Sequence, residues 1–261
     1  MAFDREERQQ RATSFGGVAG AYERARPGYP DAAVRWLTGE EPTDVVDLGA
    51  GTGKLTRSLV ALGHRVTAVE PLPEMLAELR IAVPGVVAIA GSAESIPLDD
   101  RSADVVTCAQ AFHWFDHGPA LAEIARVLRR GGRLGLVWNT RDERVPWVSE
   151  LSELMVARSK MGRRYPDMID RSGLFGPVEA RDFDHVQELG REALRELVLS
   201  RSDCAILPPD ERQPVLDRVD GIFDLHASDG MVSLPYVTVC FRATRLRSAR
   251  ALFPPCLQAT S

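Results

Sequence analysis

The stretch TDVVDLGAGTG, residues 43–53, decides the fold of this 261-residue chain. Its first half is a short run of β-branched and aliphatic residues, which is typical of a buried strand. Its second half places glycine at alternate positions, at Gly49, Gly51 and Gly53. Alternate glycines directly after a strand let the backbone turn tightly and approach a ligand closely. The stretch therefore predicts a strand, a ligand-binding loop and the start of a helix.

The alternation of strand and helix continues on the C-terminal side of this loop. Further strands are predicted at residues 65–69, 86–90, 103–109 and 133–138, and helices at residues 54–62, from Pro73 onward and at 119–130, where a glycine pair follows. Five strands alternating with helices over about 100 residues indicate right-handed βαβ units and a parallel sheet covered on both faces. Ligands of such sheets bind outside the carboxyl ends of the strands. We therefore expect the loops after these strands to hold the site.

The chain divides into four segments. Residues 1–40 are charged and then rich in aromatic residues, glycine and proline, and residues 41–140 form the predicted α/β core. Residues 141–247 contain two more predicted strands, at 178–189 and 231–245, with helical stretches between them at 192–199 and 210–223. We interpret the helical stretches as a lid inserted over the edge of the sheet. Residues 248–261 lack periodicity and are expected to be poorly ordered.

The composition disfavours several classes of protein. The 32 basic and 37 acidic residues give a net charge of −5, which argues against nucleic acid as the main partner. The four cysteines form no CxxC pair, so we expect no metal site and no disulfide framework. No signal peptide is recognisable, and no stretch of about 18 apolar residues is present to cross a membrane. We expect a cytoplasmic protein that is a monomer or a homodimer.

The glycine spacing distinguishes among three kinds of nucleotide-binding loop. A phosphate-binding P-loop requires glycine, four residues, and then Gly-Lys followed by Ser or Thr. Here Leu48 and Leu55 occupy the first and last of these positions. A dinucleotide-binding loop requires GxGxxG, but Lys54 stands at the position of its third glycine. The pattern that remains is (Asp/Glu)xGxGxG, which begins at Asp47.

This pattern resembles that of the class I S-adenosylmethionine (SAM)-dependent methyltransferases. The resemblance implies a Rossmann-like α/β fold with a mostly parallel seven-stranded sheet, helices on both faces and SAM as cofactor. It implies that Gly49, Ala50 and Gly51 wrap the methionine chain. Asp47 is then expected to accept a hydrogen bond from the amino group of SAM, directly or through water. Glu70, which ends the second strand 21 residues after Gly49, is placed to accept both ribose hydroxyls.

Residues 91–94, GSAE, extend the resemblance to the third strand. They resemble the family's GDAE segment, which implies that the adenine is contacted by Ser92, Ala93 and Glu94. Ser92 stands where the family usually has aspartate, so the contact with the adenine amino group differs here. Two residues after the second strand are assigned to the same side of the cofactor. These are Pro71 and Met75, of which Met75 also fits a place in the core.

A narrower resemblance comes from two flanking segments. Residues 15–30, FGGVAGAYERARPGYP, and residues 110–116, QAFHWFD, are similar to segments of the trans-aconitate-methyltransferase-like branch of this family. In that branch the N-terminal segment covers the cofactor. The resemblance implies that Tyr22 packs on SAM and that Arg26 binds its carboxylate. An Arg–carboxylate pair of this kind is a strong and directional contact.

The segment after the fourth strand supplies a candidate acceptor site. Gln110 is expected beside the cofactor, and aromatic side chains there can line a substrate pocket and favour a sulfonium by cation–π attraction. The residues assigned to substrate are Phe112, Trp114 and Trp138. His113 is the candidate general base, although a lone histidine also fits a role in orienting the loop or the substrate.

Together these residues predict an enzyme that methylates a small organic molecule, with the oxygen of a carboxylate or hydroxyl favoured as acceptor. An ionised carboxylate needs no general base, so a weak signal for a base does not argue against catalysis. The alternatives are transfer to carbon or nitrogen in natural-product biosynthesis and a non-catalytic SAM-binding module. An RNA or protein methyltransferase is disfavoured because QAFH stands where its Asn-Pro-Pro-Tyr type of motif would follow the fourth strand. The glycine spacing disfavours an NAD-dependent reductase.

Overall fold

The computed structural model describes residues 26–155, 165–199 and 208–247. The helices and strands of this part of the chain are α1 (Asp31–Thr38), β1 (Asp44–Leu48), α2 (Lys54–Ala61), β2 (Arg65–Glu70), α3 (Pro73–Ala82), β3 (Val87–Ala90), β4 (Ala103–Ala109), α4 (His117–Val127), β5 (Leu128–Arg141), α5 (Pro146–Leu154), α6 (Tyr165–Arg171), β6 (Glu179–Leu189), α7 (Arg191–Leu199), α8 (Pro209–His226) and β7 (Val232–Thr244). A short 3-10 turn at Phe112–Trp114 precedes α4. The predicted alternation of strands and helices is thereby confirmed.

The seven strands form a single sheet in the order β3-β2-β1-β4-β5-β7-β6. The first five strands are parallel, and β7 runs antiparallel between β5 and β6. On the central strand β1, Asp47 pairs with Ala68 of β2 on one side and with Thr107 of β4 on the other. The order of the strands reverses between β1 and β4, and ligands bind in the crevice outside the carboxyl ends at such a point. The topology therefore places the site after β1, β2 and β4.

Each face of the sheet is covered by its own apolar cluster. On one face, α4 packs through Leu121 and Ile124 against the inner residues of β4 and β5. On the other face, α1 and α2 pack through Leu37 and Leu59 against β1, β4 and β5. Burying a leucine side chain of this kind stabilises the fold by about 1.5–3 kcal/mol. Because both faces are covered, only the strand ends of this part of the sheet are open to a ligand.

The helices of the predicted insertion form an apolar cluster of their own. Val148 of α5, Leu194 of α7 and Ile222 of α8 pack together with Leu189 of β6 and Leu234 of β7. The helical predictions for residues 192–199 and 210–223 are confirmed. The role of these helices as a lid over the site stays a prediction.

One predicted boundary is wrong. The sequence pattern predicts a helix over residues 119–130, but α4 ends at Val127 and the next residues belong to β5. Arg129, expected in the last helical turn, instead pairs with Asp44 at 2.9 Å and Asp104 at 2.7 Å. Both carboxylates lie on the neighbouring strands β1 and β4. These long-range ion pairs hold residues 128–132 beside the sheet, and a helical periodicity cannot reveal them.

Two of the four cysteines lie in the described residues. Cys108 and Cys240 are buried and form no disulfide, and burial raises the pKa of the Cys240 thiol to about 12. Cys204 and Cys256 lie outside the described residues, as does the predicted tail at 248–261. Within the described residues, no three His, Cys, Asp or Glu side chains are grouped so that they could hold a metal ion. The same part of the chain contains no helix with the length and apolarity of a membrane span.

Candidate functional site

The glycine loop after β1 adopts a backbone that glycine accommodates without strain. Gly49, Gly51 and Gly53 have φ angles of 68°, 57° and 89°, in the left-handed region that a Cβ atom disfavours. The loop closes against β2, because the amides of Gly49 and Ala50 donate to the carbonyl of Val69 at 2.8 and 3.2 Å. Each glycine of the predicted motif therefore has a structural cause.

The three glycines differ in what surrounds them. A Cβ added at Gly49 would lie 2.7 Å from the Cβ of Ala111, and one at Gly53 would lie 3.1 Å from Cγ of Leu79. A Cβ at Gly51 would meet nothing within 4 Å, and Gly51 lines the crevice outside β1. Gly49 and Gly53 therefore permit close packing, whereas Gly51 borders the open space in which a ligand would lie.

The carboxylate of Glu70, at the end of β2, is bonded to the same loop. Its Oε2 accepts a hydrogen bond from the amide of Gly51 at 2.9 Å, and its Oε1 accepts one from the amide of Leu72 at 3.0 Å. The side chain is 5% exposed, and this burial raises its pKa while the two amides oppose the shift. A carboxylate has about four lone-pair sites, so Glu70 can still accept hydrogen bonds from two hydroxyls.

Asp47 is fully enclosed at the centre of the sheet. Its carboxylate accepts hydrogen bonds from Oγ1 of Thr56 at 2.6 Å and of Thr107 at 3.4 Å. Burial raises its pKa to about 6, to which the negative charge of Glu70 also contributes. No surface of this side chain is open to a ligand, so the predicted direct contact with the amino group of SAM is not available to it here. Asp47 instead supports the glycine loop from below by joining β1 to α2 and β4.

The segment after β3 is irregular, and its predicted residues differ in their surroundings. Ser92 forms an isolated bridge with Ser95 and is half-buried, whereas the methyl group of Ala93 is buried in the core. Oε1 of Glu94 accepts a hydrogen bond from the amide of Asp116 at 2.8 Å. Glu94 therefore joins this segment to the segment after β4, and both border the crevice end of the sheet.

Arg126 of α4 anchors the rest of this segment. Its guanidinium donates to the carbonyls of Ile96 and Leu98 at 2.8 Å each. It also pairs with Glu123 at 2.7 Å and Asp100 at 2.9 Å, and these carboxylates raise its pKa further. In place of a helix, the half-buried guanidinium of Arg126 thus anchors the connection between β3 and β4.

Of the two predicted residues that follow Glu70, Pro71 lies two residues before α3 and Met75 lies within it. Pro71 is exposed, and Met75 is buried in the first turn of the helix. Met75 is 5% exposed, which agrees with the packing role that the sequence left open for it. Pro71 is the more accessible of the two to a ligand bound at Glu70.

Gln110 directly follows β4 in a conformation that is uncommon for a residue with a side chain, with φ at 56°. Its backbone N–H donates to the carbonyl of Val137 at 3.0 Å, and its side-chain Nε2 donates to the carbonyl of Asn139 at 3.1 Å. Backbone strain of this kind persists where the surrounding structure enforces it, and such positions cluster at functional sites. The strand end therefore turns sharply at the point where the sequence places the acceptor.

A crevice at the carboxyl ends of β1, β4 and β5 brings together five predicted residues: Arg26, Gly49, Ala50, Gly51 and Gln110. Sequence reasoning missed Asn139, which also lines it. Nδ2 of Asn139 donates to the carbonyl of Gly28 at 2.8 Å, and Oδ1 accepts a hydrogen bond from Thr238 at 2.7 Å. The available signal was an amide residue directly after the apolar run at 133–138. Tyr22 lies outside the described residues.

The aromatic residues after Gln110 divide between the core and the crevice. Phe112 and Trp138, both assigned to substrate, are enclosed in the apolar core, and Tyr165 packs against both rings at 5.3 and 5.0 Å. That assignment is corrected, because neither ring has an open surface to offer a substrate. His113 and Trp114 are half-buried and pack against each other with ring centroids 4.6 Å apart. These two remain available to a ligand.

The site suits an adenosyl ligand better than a phosphate. Two carboxylates, Asp47 and Glu70, lie under and beside the glycine loop, and they would repel a phosphate at that position. Glu70 can accept hydrogen bonds from a pair of ribose hydroxyls, and the space beside Gly51 leaves room for a chain that approaches the backbone closely. These are the requirements of the SAM-binding loop that the motif predicts.

Known proteins that are similar to this chain are also methyltransferases. A family model described as a methyltransferase domain matches residues 46–136. An uncharacterized methyltransferase from Mycobacterium tuberculosis is 49% identical over 240 residues, which cover 91% of this chain and 98% of the relative.

Solved structures share the fold. A candidate Type II methyltransferase from Anaeromyxobacter dehalogenans is similar with a TM-score of 0.63 and 26% identity, covering 84% of this chain and 97% of that one. Phosphoethanolamine N-methyltransferase 2 from Haemonchus contortus, in complex with S-adenosylhomocysteine (SAH), has a TM-score of 0.56 at 16% identity, covering 92% of this chain and 60% of that one. With the glycine loop and Glu70 in place and a relative matched over nearly its whole length, the chain belongs to the class I SAM-dependent methyltransferases.

Proposed function

We propose that this methyltransferase acts on a small organic molecule and transfers the methyl group to oxygen, of a carboxylate or a hydroxyl. The charge of the crevice carries the proposal. Its described lining residues include Arg26 and Lys54 but no aspartate or glutamate. A lining of cations and amides attracts carboxylates and offers an amine acceptor no carboxylate with which to pair. The resemblance to the trans-aconitate-methyltransferase-like branch supports the same class of acceptor.

SAM supplies a methyl group on a sulfonium, so the protein has to position the reactants and exclude water. We assign the ribose hydroxyls to Glu70 and the carboxylate of the methionine part to Arg26. The glycine loop, Gly49 to Gly51, borders the methionine chain. The adenine side is assigned to Pro71, Ser92 and Glu94, with Tyr22 packing over the cofactor, while the buried side chains of Met75 and Ala93 belong to the core.

The acceptor side of the crevice is assigned to Gln110, His113 and Trp114. A carboxylate acceptor is already ionised, so no proton has to be removed from it. For a hydroxyl acceptor, we assign removal of the proton to the imidazole of His113. We propose that α7 and α8 cover the acceptor as a lid, because their cluster packs at the ends of β6 and β7 next to β5.

The test is transfer of tritiated methyl from SAM to three panels of small molecules: di- and tricarboxylic acids, alcohols and phenols, and amines. Mild base hydrolyses a methyl ester to volatile tritiated methanol but leaves an ether or an N-methyl product intact. We expect a labelled product from the acids that releases methanol, or an ether from the hydroxyl compounds. An H113A variant should retain transfer to acids and lose at least about tenfold of its rate with hydroxyl acceptors.

Calorimetric titration with SAH, with NADH and ATP as controls, shows in parallel whether the protein used is competent to bind cofactor. Label found only on an amine or on carbon, or on RNA or protein added to the assay, would overturn O-methylation of a small molecule. SAH binding without transfer to any panel would favour a non-catalytic SAM-binding module.

A further inference from the structure

Arg141 ends β5 just beyond the crevice. Its side chain lies on the same face of the sheet as that of Asn139, two residues earlier, since side chains alternate along a strand. In register, Arg141 pairs with Tyr236 of β7, and Tyr236 pairs with His185 of β6. Residues paired in this way project to the same side of a sheet. Arg141, Tyr236 and His185 therefore form a row across the end of the sheet.

The charge of Arg141 is not balanced by an acid. Its Nε donates to Oγ of Ser152 at 2.8 Å, and no carboxylate of the described residues forms an ion pair with it within 4.0 Å. Glu143 acts on it only from a longer distance, and burial is the largest effect on its pKa, which it lowers. By contrast, Arg126 and Arg129 each bind two carboxylates.

The surroundings of Arg141 hold it in place while leaving its charge uncompensated. The hydroxyl of Ser152 belongs to α5, and the ring of Tyr236 belongs to the same apolar cluster as that helix. His185 packs on Tyr236 with ring centroids 5.4 Å apart, and its buried Nδ1 has no hydrogen-bond partner among the described residues. A half-buried cation with no acid to pair with costs stability, and so does the unsatisfied imidazole on the other side of Tyr236. A ligand that brings a negative charge removes that cost.

Arg141 also adjoins the cofactor crevice. Asn139, on the same face of β5, lines the crevice. Arg26, which lines the crevice as well, is close enough to Arg141 for the two charges to repel each other and lower the pKa of Arg141. One cation in the crevice lining, Arg26, and a second just beyond it, Arg141, indicate two anionic groups: one on the cofactor and one on the second reactant.

We infer that Arg141 binds a carboxylate of the acceptor molecule, with Tyr236 next to it and His185 beyond Tyr236 in the same row, while Arg26 serves the carboxylate of the cofactor. This inference rests on the proposed function, because it requires an acidic acceptor in the crevice. It assigns the selection of an acidic acceptor to the end of β5, a position that no motif of the sequence marks. A guanidinium suits this task since it binds a carboxylate through two parallel hydrogen bonds.

The experiment uses the full chain saturated with SAH and titrates it with citrate, succinate and glutarate as probes, at constant ionic strength set by NaCl. Succinamide is the uncharged control. Wild-type protein should bind at least one of the three carboxylates and not succinamide. Arg141→Met should weaken that binding at least about tenfold, the loss expected for a hydrogen-bonded ion pair. Arg141→Lys, which keeps the charge without the planar fork, should restore part of it. Arg144→Met is the matched control, since Arg144 is exposed and pairs with Asp142.

Each outcome of this titration either supports or overturns the role of Arg141. The inference is overturned if the SAH-saturated wild type binds none of the carboxylates, or if Arg141→Met binds them as tightly as the wild type. It is also overturned if Arg141→Met weakens SAH itself at least about tenfold, because Arg141 would then serve the cofactor. A structural role would lower the unfolding temperature of Arg141→Met without SAH, whereas removal of an uncompensated charge leaves that temperature equal or higher. Failure of the proposed function is a separate result, seen as absence of SAH binding or label on an acceptor other than oxygen.

Discussion

Oε2 of Glu70 accepts a hydrogen bond from the amide of Gly51 at 2.9 Å, and this bond joins the two halves of the SAM site. Gly51 can present its amide there because its φ of 57° turns the loop toward β2. Glu70 can receive it because β2 pairs with β1 in parallel and both strands end at the same edge. The carboxylate therefore orders the glycine loop and is itself fixed in the position that we propose for binding the ribose.

The first prediction concerns Glu70. Glu70→Ala should weaken SAH binding at least about 100-fold. The two proposed hydrogen bonds from the ribose hydroxyls to the carboxylate would be lost, and each contributes about 1.5–3 kcal/mol. The dissociation constant from calorimetry is the measurement. Glu74→Ala is the control, since Glu74 is an exposed residue of α3, and its affinity should stay within about twofold of the wild type. An unchanged affinity for Glu70→Ala would show that the ribose is bound elsewhere.

The second prediction separates strain from contact at Gly51. Gly51→Ala and Gly85→Ala both place a side chain at positive φ, at 57° and 84°, and both sites have open space around the added Cβ. Each substitution should lower the free energy of unfolding by about 1–2 kcal/mol. Of the two variants, only Gly51→Ala should also weaken the binding of SAH, because Gly51 borders the crevice and Gly85 does not. Urea denaturation and calorimetry of both variants test this, and equal losses of SAH affinity in the two would contradict it.

The third prediction concerns pH and Asp47. Its pKa in the folded protein is about 6, against about 3.9 in an unfolded chain. Because the folded-state pKa is raised, the stability contribution of this group is fully present below about pH 4 and is lost as the pH rises through 6. Asp47→Asn removes this titration. Its free energy of unfolding, relative to the wild type, should therefore rise on the order of 3 kcal/mol between pH 4 and pH 7.

Urea denaturation at several pH values measures this difference. Asp44, Asp104 and Glu123 have lowered pKa values and titrate in the opposite sense, but they are common to both proteins and cancel. Asp99→Asn serves as the control, because Asp99 is exposed. Parallel pH profiles for Asp47→Asn and the wild type would show that the carboxylate of Asp47 is not destabilised by burial.

The fourth prediction concerns Arg126. Arg126→Met removes the donors to the carbonyls of Ile96 and Leu98, so it should lower the free energy of unfolding by about 1–3 kcal/mol. Hydrogen exchange at residues 94–98 should accelerate, and SAH should bind a few fold more weakly because Glu94 lies on the loosened segment. Arg80→Met, which removes one exposed hydrogen bond to Ala88, is the control. Protection of residues 94–98 equal to that of the wild type would refute the anchoring role.

Much of the fold could be predicted from the sequence because it depends on local patterns. The strands of the α/β core and the two later strands follow from runs of apolar residues and from glycine spacing. The boundary between α4 and β5 could not be predicted, because Arg129 is held by Asp44, a residue 85 positions away in the chain. Helical periodicity reports which face of a segment is apolar, and it contains no record of such distant ion pairs.

The candidate site also has one part that the sequence predicts and another that depends on the tertiary structure. The motif by itself determined the glycine loop and Glu70, since these residues require a particular backbone geometry and chemistry at a particular spacing. Only the tertiary structure decided that Asp47, Phe112 and Trp138 are enclosed, because burial depends on which elements pack against a residue. It likewise placed Asn139 at the crevice and Arg141 beside it, because the ends of parallel strands meet only when the sheet has formed.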